Sequence, residues 1–178
     1  MKKNLTYFLL FLIVACGQTK QEQVPDDWKT FEQSNHSISY PPTWKLFQTK
    51  EMEMSFVIYS TLESNLDKFK ENISFNIQDL SGQNMDLDKY AKISEEQIKT
   101  FIAYPVVKES KRVKNDRGEY HKLIYTGDQE IFKFIFEQYI WIVDEEAYVL
   151  TLTSEQDKFN DFKETGEKIL NSFKFIKK

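Results

Sequence analysis

The spacing of apolar residues divides the chain into stretches that alternate in twos and stretches that recur in threes and fours. Asn72 to Gln78 alternates cleanly, with Ile73, Phe75 and Ile77 on one side and Ser74, Asn76 and Gln78 on the other, which predicts a half-buried strand. Met54 to Ser60, apolar and rich in strand formers, predicts another. From Asp86 the period lengthens. Leu87, Tyr90, Ala91, Ser94, Ile98 and Phe101 fall on one helical face, which predicts a helix over 87–102 with Asp86 as its N-cap. Pro105 closes off that helix, Val106 to Val113 reads as a strand, and Asn115, Asp116, Arg117 and Gly118 form a cluster of turn residues. Tyr120 to Tyr125 is then the return strand, with Gly127 and Asp128 as the next turn. Ile131 to Val143 carries apolar residues on both parities and is expected to be a central strand covered on two sides. Asp144, Glu145 and Glu146 turn the chain into a strand over Ala147 to Thr153. Phe159, Phe162, Ile169, Leu170 and Phe173 give a closing amphipathic helix, for which Ser154 followed by Asp157 is the capping candidate.

Ahead of these elements lie three short β-prone pieces, Trp28 to Phe31, Ile38 to Tyr40 and Trp44 to Phe47. Pro41 and Pro42 interrupt them and predict an edge hairpin or corner, because proline cannot serve a central strand. The order of elements is short strands, two strands, helix, a four-strand meander and helix. It predicts an α+β sandwich on a largely antiparallel sheet. No internal repeat or low-complexity tract breaks it, and 178 residues suit one core.

The first residues follow another grammar. Lys2 and Lys3 precede a run from Leu5 to Ala15 in which only Thr6 is polar, as in a secretion signal. At about 1.5 Å per residue the run covers about half of a ~30 Å hydrocarbon core, too little for a spanning helix. Ile13, Val14, Ala15 and Cys16 resemble the lipobox of bacterial lipoproteins. The resemblance implies cleavage before Cys16, diacylation of its thiol and acylation of the new amine, which together make a stable membrane anchor. Residues 1–15 are then a signal peptide, 16–26 a lipidated cysteine with a polar, flexible tether, and 27–178 the folded domain. Gly17 rather than Asp after the cysteine carries no inner-membrane retention signal of the enterobacterial kind, so the expected location is the cell envelope, on the outer membrane facing the periplasm. Cys16 is the chain's single cysteine, so the domain has no disulfide framework and no thiolate metal site.

The segment Ile38, Ser39, Tyr40, Pro41, Pro42, Thr43, Trp44, Lys45 resembles the opening of PsbP-like domains, a superfamily that includes the DcrB-type bacterial lipoproteins. Those domains place a helix after the first strands, continue in an antiparallel meander and close on a helix ending in a Ser-Phe pair, here Ser172 and Phe173. The resemblance spans about residues 27–176 and implies a PsbP-like sandwich acting as an accessory protein that binds larger assemblies. It implies a fold rather than a chemistry, since function resides in sites.

The search for chemistry yields little. Removing 1–15 takes Lys2 and Lys3 away and shifts the net charge from −4 to −6, unfavourable for nucleic acid, which needs a positive face. Lys108, Lys111, Arg112 and Lys114 make the densest basic group and read as a solvated strand. The chain's 2 histidines, His36 and His121, read as structural. Acid pairs at Asp26 and Asp27, at Asp86 and Asp88, and at Asp144 with Glu145 and Glu146 lack a calcium-loop spacing and read as solvated turns. The 5 glycines form no phosphate loop. We therefore expect no catalytic residue, no cofactor and no metal. The expected function is a membrane-anchored, non-enzymatic binding or accessory module for another envelope protein. The alternative is a carrier or sensor of a lipid or other small ligand in an internal pocket, suggested by 15 Phe and 9 Tyr. A hydrolase would require His36 or His121 to meet serine and carboxylate side chains in a cleft.

The lipobox resemblance has a direct outcome. Cys16→Ser should leave a protein that is released or uncleaved, and the mature N-terminus of the native chain should carry acyl mass on Cys16 by mass spectrometry. A free Cys16 thiol in membrane-extracted protein contradicts it.

Overall fold

The computed structural model describes residues 24–48, 54–115 and 118–176. The expected signal peptide, Cys16 and the tether up to residue 23 lie outside them, as do Asp116 and Arg117. The strands in chain order are β1 (Lys29–Glu32), β2 (His36–Tyr40), β3 (Lys45–Phe47), β4 (Met54–Tyr59), β5 (Asn72–Asp79), β6 (Ala103–Asn115), β7 (Gly118–Gln129), β8 (Phe132–Val143), β9 (Glu146–Glu155) and β10 (Lys174–Phe175). Helix α1 (Leu87–Phe101) lies between β5 and β6, and α2 (Phe159–Ser172) between β9 and β10. A 7-stranded sheet runs in the order β3-β4-β5-β9-β8-β7-β6, and a 3-stranded sheet in the order β1-β2-β10. Every pairing is antiparallel.

The large sheet separates two layers. Its inner face turns Phe56, Ile58, Ile73, Phe75, Tyr120, Tyr139, Trp141, Tyr148, Leu150 and Leu152 toward α2 and the small sheet, which contribute Ile38, Ile169, Leu170 and Phe173. Trp44 closes this core, 5% exposed, with its ring edge-on to Phe162 at 6.3 Å. The helix comes so close that a Cβ on Gly166 would stand 2.5 Å from Leu152 Cδ2, which is why the middle of α2 tolerates a residue that weakens helices. On the outer face α1 covers β6, β7 and β8, packing Ile98 and Ile102 against Leu123, Tyr125, Val107 and Phe136.

Asp86 caps α1 as predicted, its carboxylate accepting from the Lys89 backbone N–H at 2.8 Å. Elsewhere the structure corrects the sequence reading. The strand expected from Val106 begins at Ala103 and passes through Pro105, which an edge strand tolerates, with bulges between Ala103 and Val106 and between Val107 and Glu109. Gly127 and Asp128 are not a turn. They continue β7, because a Cβ on Gly127 would collide with Ile102 Cγ2, so the glycine is required by the close approach of the α1–β6 junction. Ser154 does not cap α2: it is buried within β9, and the N-cap position falls to Lys158, which makes no side-chain cap bond. β1 and β2 do form a hairpin, but with β10 they make a sheet of their own, while β3 crosses to the edge of the large sheet.

Trp44→Ala removes a ring sealed between β3 and α2 and should destabilise the domain by about 3 to 5 kcal/mol in chemical denaturation. An unchanged midpoint would place Trp44 outside the core.

Candidate functional site

His121 lies on the outer face, with Leu123 and Tyr125 on its side of β7. Beyond Val107 the bulge in β6 reverses the strand's parity and brings Ser110 to the same face, beneath α1. Ser110 Oγ donates to Glu95 Oε1 of α1 at 2.5 Å and lies 2.8 Å from His121 Nε2. With the Ser110 hydroxyl proton directed at Glu95, Nε2 is the donor to Ser110 Oγ, and the bare Nδ1 is buried without a hydrogen-bond partner. A nucleophilic triad needs the opposite order: the imidazole takes the serine proton, and the carboxylate sits on the far ring nitrogen. Here the carboxylate is on the serine. The result is a strut from α1 to the sheet. It continues through Arg112, which reaches Asp88 Oδ2 at 2.9 Å and Glu119 Oε1 at 3.1 Å. Lys111 likewise meets Glu109 at 2.8 Å, so the basic group seen in the sequence is partly neutralised.

His36 is wholly buried in β2, among the rings of Phe75 at 4.7 Å, Phe173 at 5.6 Å and Phe56 at 6.2 Å. Its Nδ1–H donates to Asn35 Oδ1 at 2.8 Å, Asn35 Nδ2 donates to the Tyr148 hydroxyl at 3.0 Å, and that hydroxyl donates to Glu146 Oε2 at 2.5 Å. The chain of bonds fixes the β1–β2 hairpin on the large sheet. His36 and His121 therefore do not converge.

A buried ionic group sits under α2. Lys122 Nζ meets the fully buried Glu137 at 2.7 Å, with Glu167 of α2 at 4.0 Å. Burial alone would lower the Lys122 ammonium, but the Glu137 carboxylate, helped by Glu109 and Glu167, holds it above its ordinary value. Among the described residues no three His, Cys, Asp or Glu side chains gather as a metal site.

Two shallow clefts open to solvent. One, of about 450 Å³, lies between the start of α1 and the β6–β7 hairpin, with Arg112, Glu119, Trp141 and Phe175 in its wall. The other, of about 240 Å³, runs between α1 and the sheet over Tyr125, Gln138 and Ile140. Apart from Phe47 on edge strand β3 and Ile93 midway along α1, the exposed large apolar residues among those described lie elsewhere, at the end of the sheet where the β4–β5 loop, the β7–β8 turn and the α1–β6 junction meet. Leu62, Leu66, Phe101, Tyr104, Val106 and Ile131 all face solvent there. The loop from Leu62 to Glu71 is fastened across this end. Phe69 packs on Phe134 and Phe132, and Asp67 meets Lys158 at 2.8 Å.

Glu95 and Ser110 carried no sequence signal, because the bulge that brings Ser110 to the side of His121 is invisible to a period-two reading.

No protein-family model matches the chain, and no curated protein matches it in sequence. Among solved structures it is similar to the cyanobacterial PsbP protein, CyanoP, of Synechocystis, with a TM-score of 0.61 at 12% identity over 90% of this chain and 99% of that one. It is similar to LpqN of Mycobacterium tuberculosis, described as involved in cell envelope biogenesis, with a TM-score of 0.61 at 11% identity over 85% and 87% of the two chains. It also resembles the Ran-binding protein Mog1p of Saccharomyces cerevisiae, with a TM-score of 0.54 at 8% identity over 82% and 94%. At these identities the likeness is one of fold. The domain has the PsbP-like α+β fold.

Burial pushes His36 and His121 below the usual histidine value of 6.5, with Glu95 and Asp88 pulling His121 the other way. The native state then binds fewer protons than the unfolded chain just below that value, so stability is full above pH 6.5 and falls as the pH drops through it. Denaturation midpoints between pH 7.5 and 5.5, roughly the window of histidine titration, should decline, and His121→Gln should flatten the decline. A pH-independent midpoint would show that neither imidazole is held neutral.

Proposed function

We propose that this chain is an envelope lipoprotein, lipidated on Cys16 and held on the outer membrane facing the periplasm, whose PsbP-like domain is a non-catalytic module that binds another envelope protein. The observation that carries the non-catalytic reading is the order of the Glu95–Ser110–His121 chain, in which the carboxylate holds the serine rather than the imidazole. That strut is the one place among the described residues where a histidine meets a serine and a carboxylate by hydrogen bonds, as a hydrolase would require.

The neighbours point the same way. LpqN is described as involved in cell envelope biogenesis and Mog1p as a Ran-binding protein, which supports an envelope setting and a binding role for this fold. The carrier alternative drew on the abundance of rings, and those rings are engaged: Phe56, Phe75, Phe173, Tyr139, Trp141 and Tyr148 interlock in the core.

The test is crosslinking of the tagged, lipidated protein in its own cells, run beside a screen of the purified protein against ester, peptide and glycoside substrates. A defined envelope partner with no turnover is the expected result. Hydrolysis abolished by His121→Ala or Ser110→Ala, with no crosslinked partner, replaces the module with an enzyme.

A further inference from the structure

The end of the sheet that gathers the exposed apolar residues is also the end at which the chain enters the domain. Lys29 lies opposite Tyr40 in the β1–β2 hairpin, and its ammonium bonds the Pro42 carbonyl at 3.2 Å. The turn from Pro41 to Trp44 then delivers Lys45 opposite Tyr59, next to the β4–β5 loop that carries Leu62 and Leu66. From this coincidence, and resting on the lipid anchor at Cys16, we propose that this end of the domain is seated in the interfacial layer of the bilayer, with Leu62, Leu66, Phe101, Tyr104, Val106 and Ile131 as the inserted groups.

Chain length favours one orientation. Val24 follows Cys16 by eight residues, which reach at most about 28 Å at ~3.5 Å per residue. Lys45, beside the point of entry, is level through Tyr59, Asn72 and Thr153 with Phe136 of β8, which leaves the steps from Phe136 to Val143, about 23 Å at ~3.3 Å each, to the far end. With the near end against the bilayer the tether is slack, whereas the inverted domain would draw it close to its full length at a cost in chain entropy.

The chemistry of the near end agrees. Leu66 is 88% exposed, Tyr104 83%, Phe101 79% and Ile131 78%, a clustering that soluble surfaces avoid unless something covers it. Lys68, Lys70, Lys99 and Lys133 stand exposed in the same segments, placed to reach headgroup phosphates while their stems lie along the apolar groups. Lys158 neutralises Glu63 and Asp67 beneath them, leaving Glu130 as the exposed acid of the β7–β8 turn.

The experiment uses the full, membrane-extracted chain in vesicles of phosphatidylethanolamine and phosphatidylglycerol. Because lipidation blocks the thiol of Cys16, Leu66→Cys, Ile131→Cys and, at the far end, Gln83→Cys each accept one environment-sensitive fluorophore. Bromine on the lipid acyl chains should quench the labels at 66 and 131 about twofold more than at 83, as side chains sunk ~5–10 Å into the headgroup boundary require. Equal quenching at all three positions, with iodide in the water reaching 66 and 131 freely, overturns the proposal and returns this end to a protein partner. Protein that fails to float with the vesicles, or in which Cys16 itself takes the label, overturns the lipid anchor instead.

Discussion

Covering one face of a wide sheet is the constraint from which the rest of this fold follows. Seven strands at about 4.8 Å apart span roughly 30 Å, while a helix is only about 10 Å across, so α2 alone leaves more than half of the inner face open to water. The remainder is covered by β1, β2 and β10, which bring Ile38, His36 and Phe173 down onto Phe56 and Phe75. The stacked rings of Phe56 and Phe75, with centroids 4.9 Å apart, are the floor on which the small sheet rests. The two terminal segments of the domain thus share one task. Its aromatic wealth is explained by the need for broad, flat side chains between two sheets and a helix.

The polar groups within this frame act as fasteners. Glu137 has no exposure, and removing Lys122 would leave a buried charge alone, a cost of several kcal/mol that exceeds what the intact pair contributes over an apolar replacement. Such a pair fixes how α2 lies on the sheet more than how strongly it binds there. Ser172 does the same at the other end of the helix, its one hydroxyl proton shared between the Ile169 carbonyl at 2.7 Å and the Ser39 carbonyl at 3.0 Å while its oxygen accepts from the Ser39 N–H at 2.9 Å. On the outer face the Glu95–Ser110–His121 strut ties α1 to the edge of the sheet.

The fold class, the element order and the cap of α1 were legible because each rests on a local rule: parity along β5, helical spacing from Leu87, and an aspartate one residue before it. What escaped depends on contacts distant in sequence. Gly127 looked like a turn residue because glycine is usually read for its backbone freedom, whereas here it is small because Ile102 lies against it. Pro105 looked like a break because its tolerance depends on β6 being an edge strand, a fact of the whole sheet's order. Ser154 and Asp157 looked like a cap because nothing local says that β9 runs on to Glu155. The site was legible in its histidines but not in their partners, since the bulge after Val107 moves Ser110 across the sheet and helix α1 alone decides that Glu95 is above it.

The pairing of β10 with β2 bears on how the protein is made. Lys174 and Phe175 lie opposite Ser37 and His36, and the Ile176 N–H bonds the Asn35 carbonyl at 2.9 Å, so the small sheet joins segments from nearly opposite ends of the domain. Pairings so distant in sequence form late, after hairpins such as β6–β7 and β8–β9 that close over a few residues. A domain synthesised from its N-terminal side therefore exposes the aromatic floor of the large sheet until β10 has been made. β10 is thus the segment that closes the domain, and a nascent domain stalled or clipped just short of it would present Phe56 and Phe75 to any protease that surveys unfinished chains.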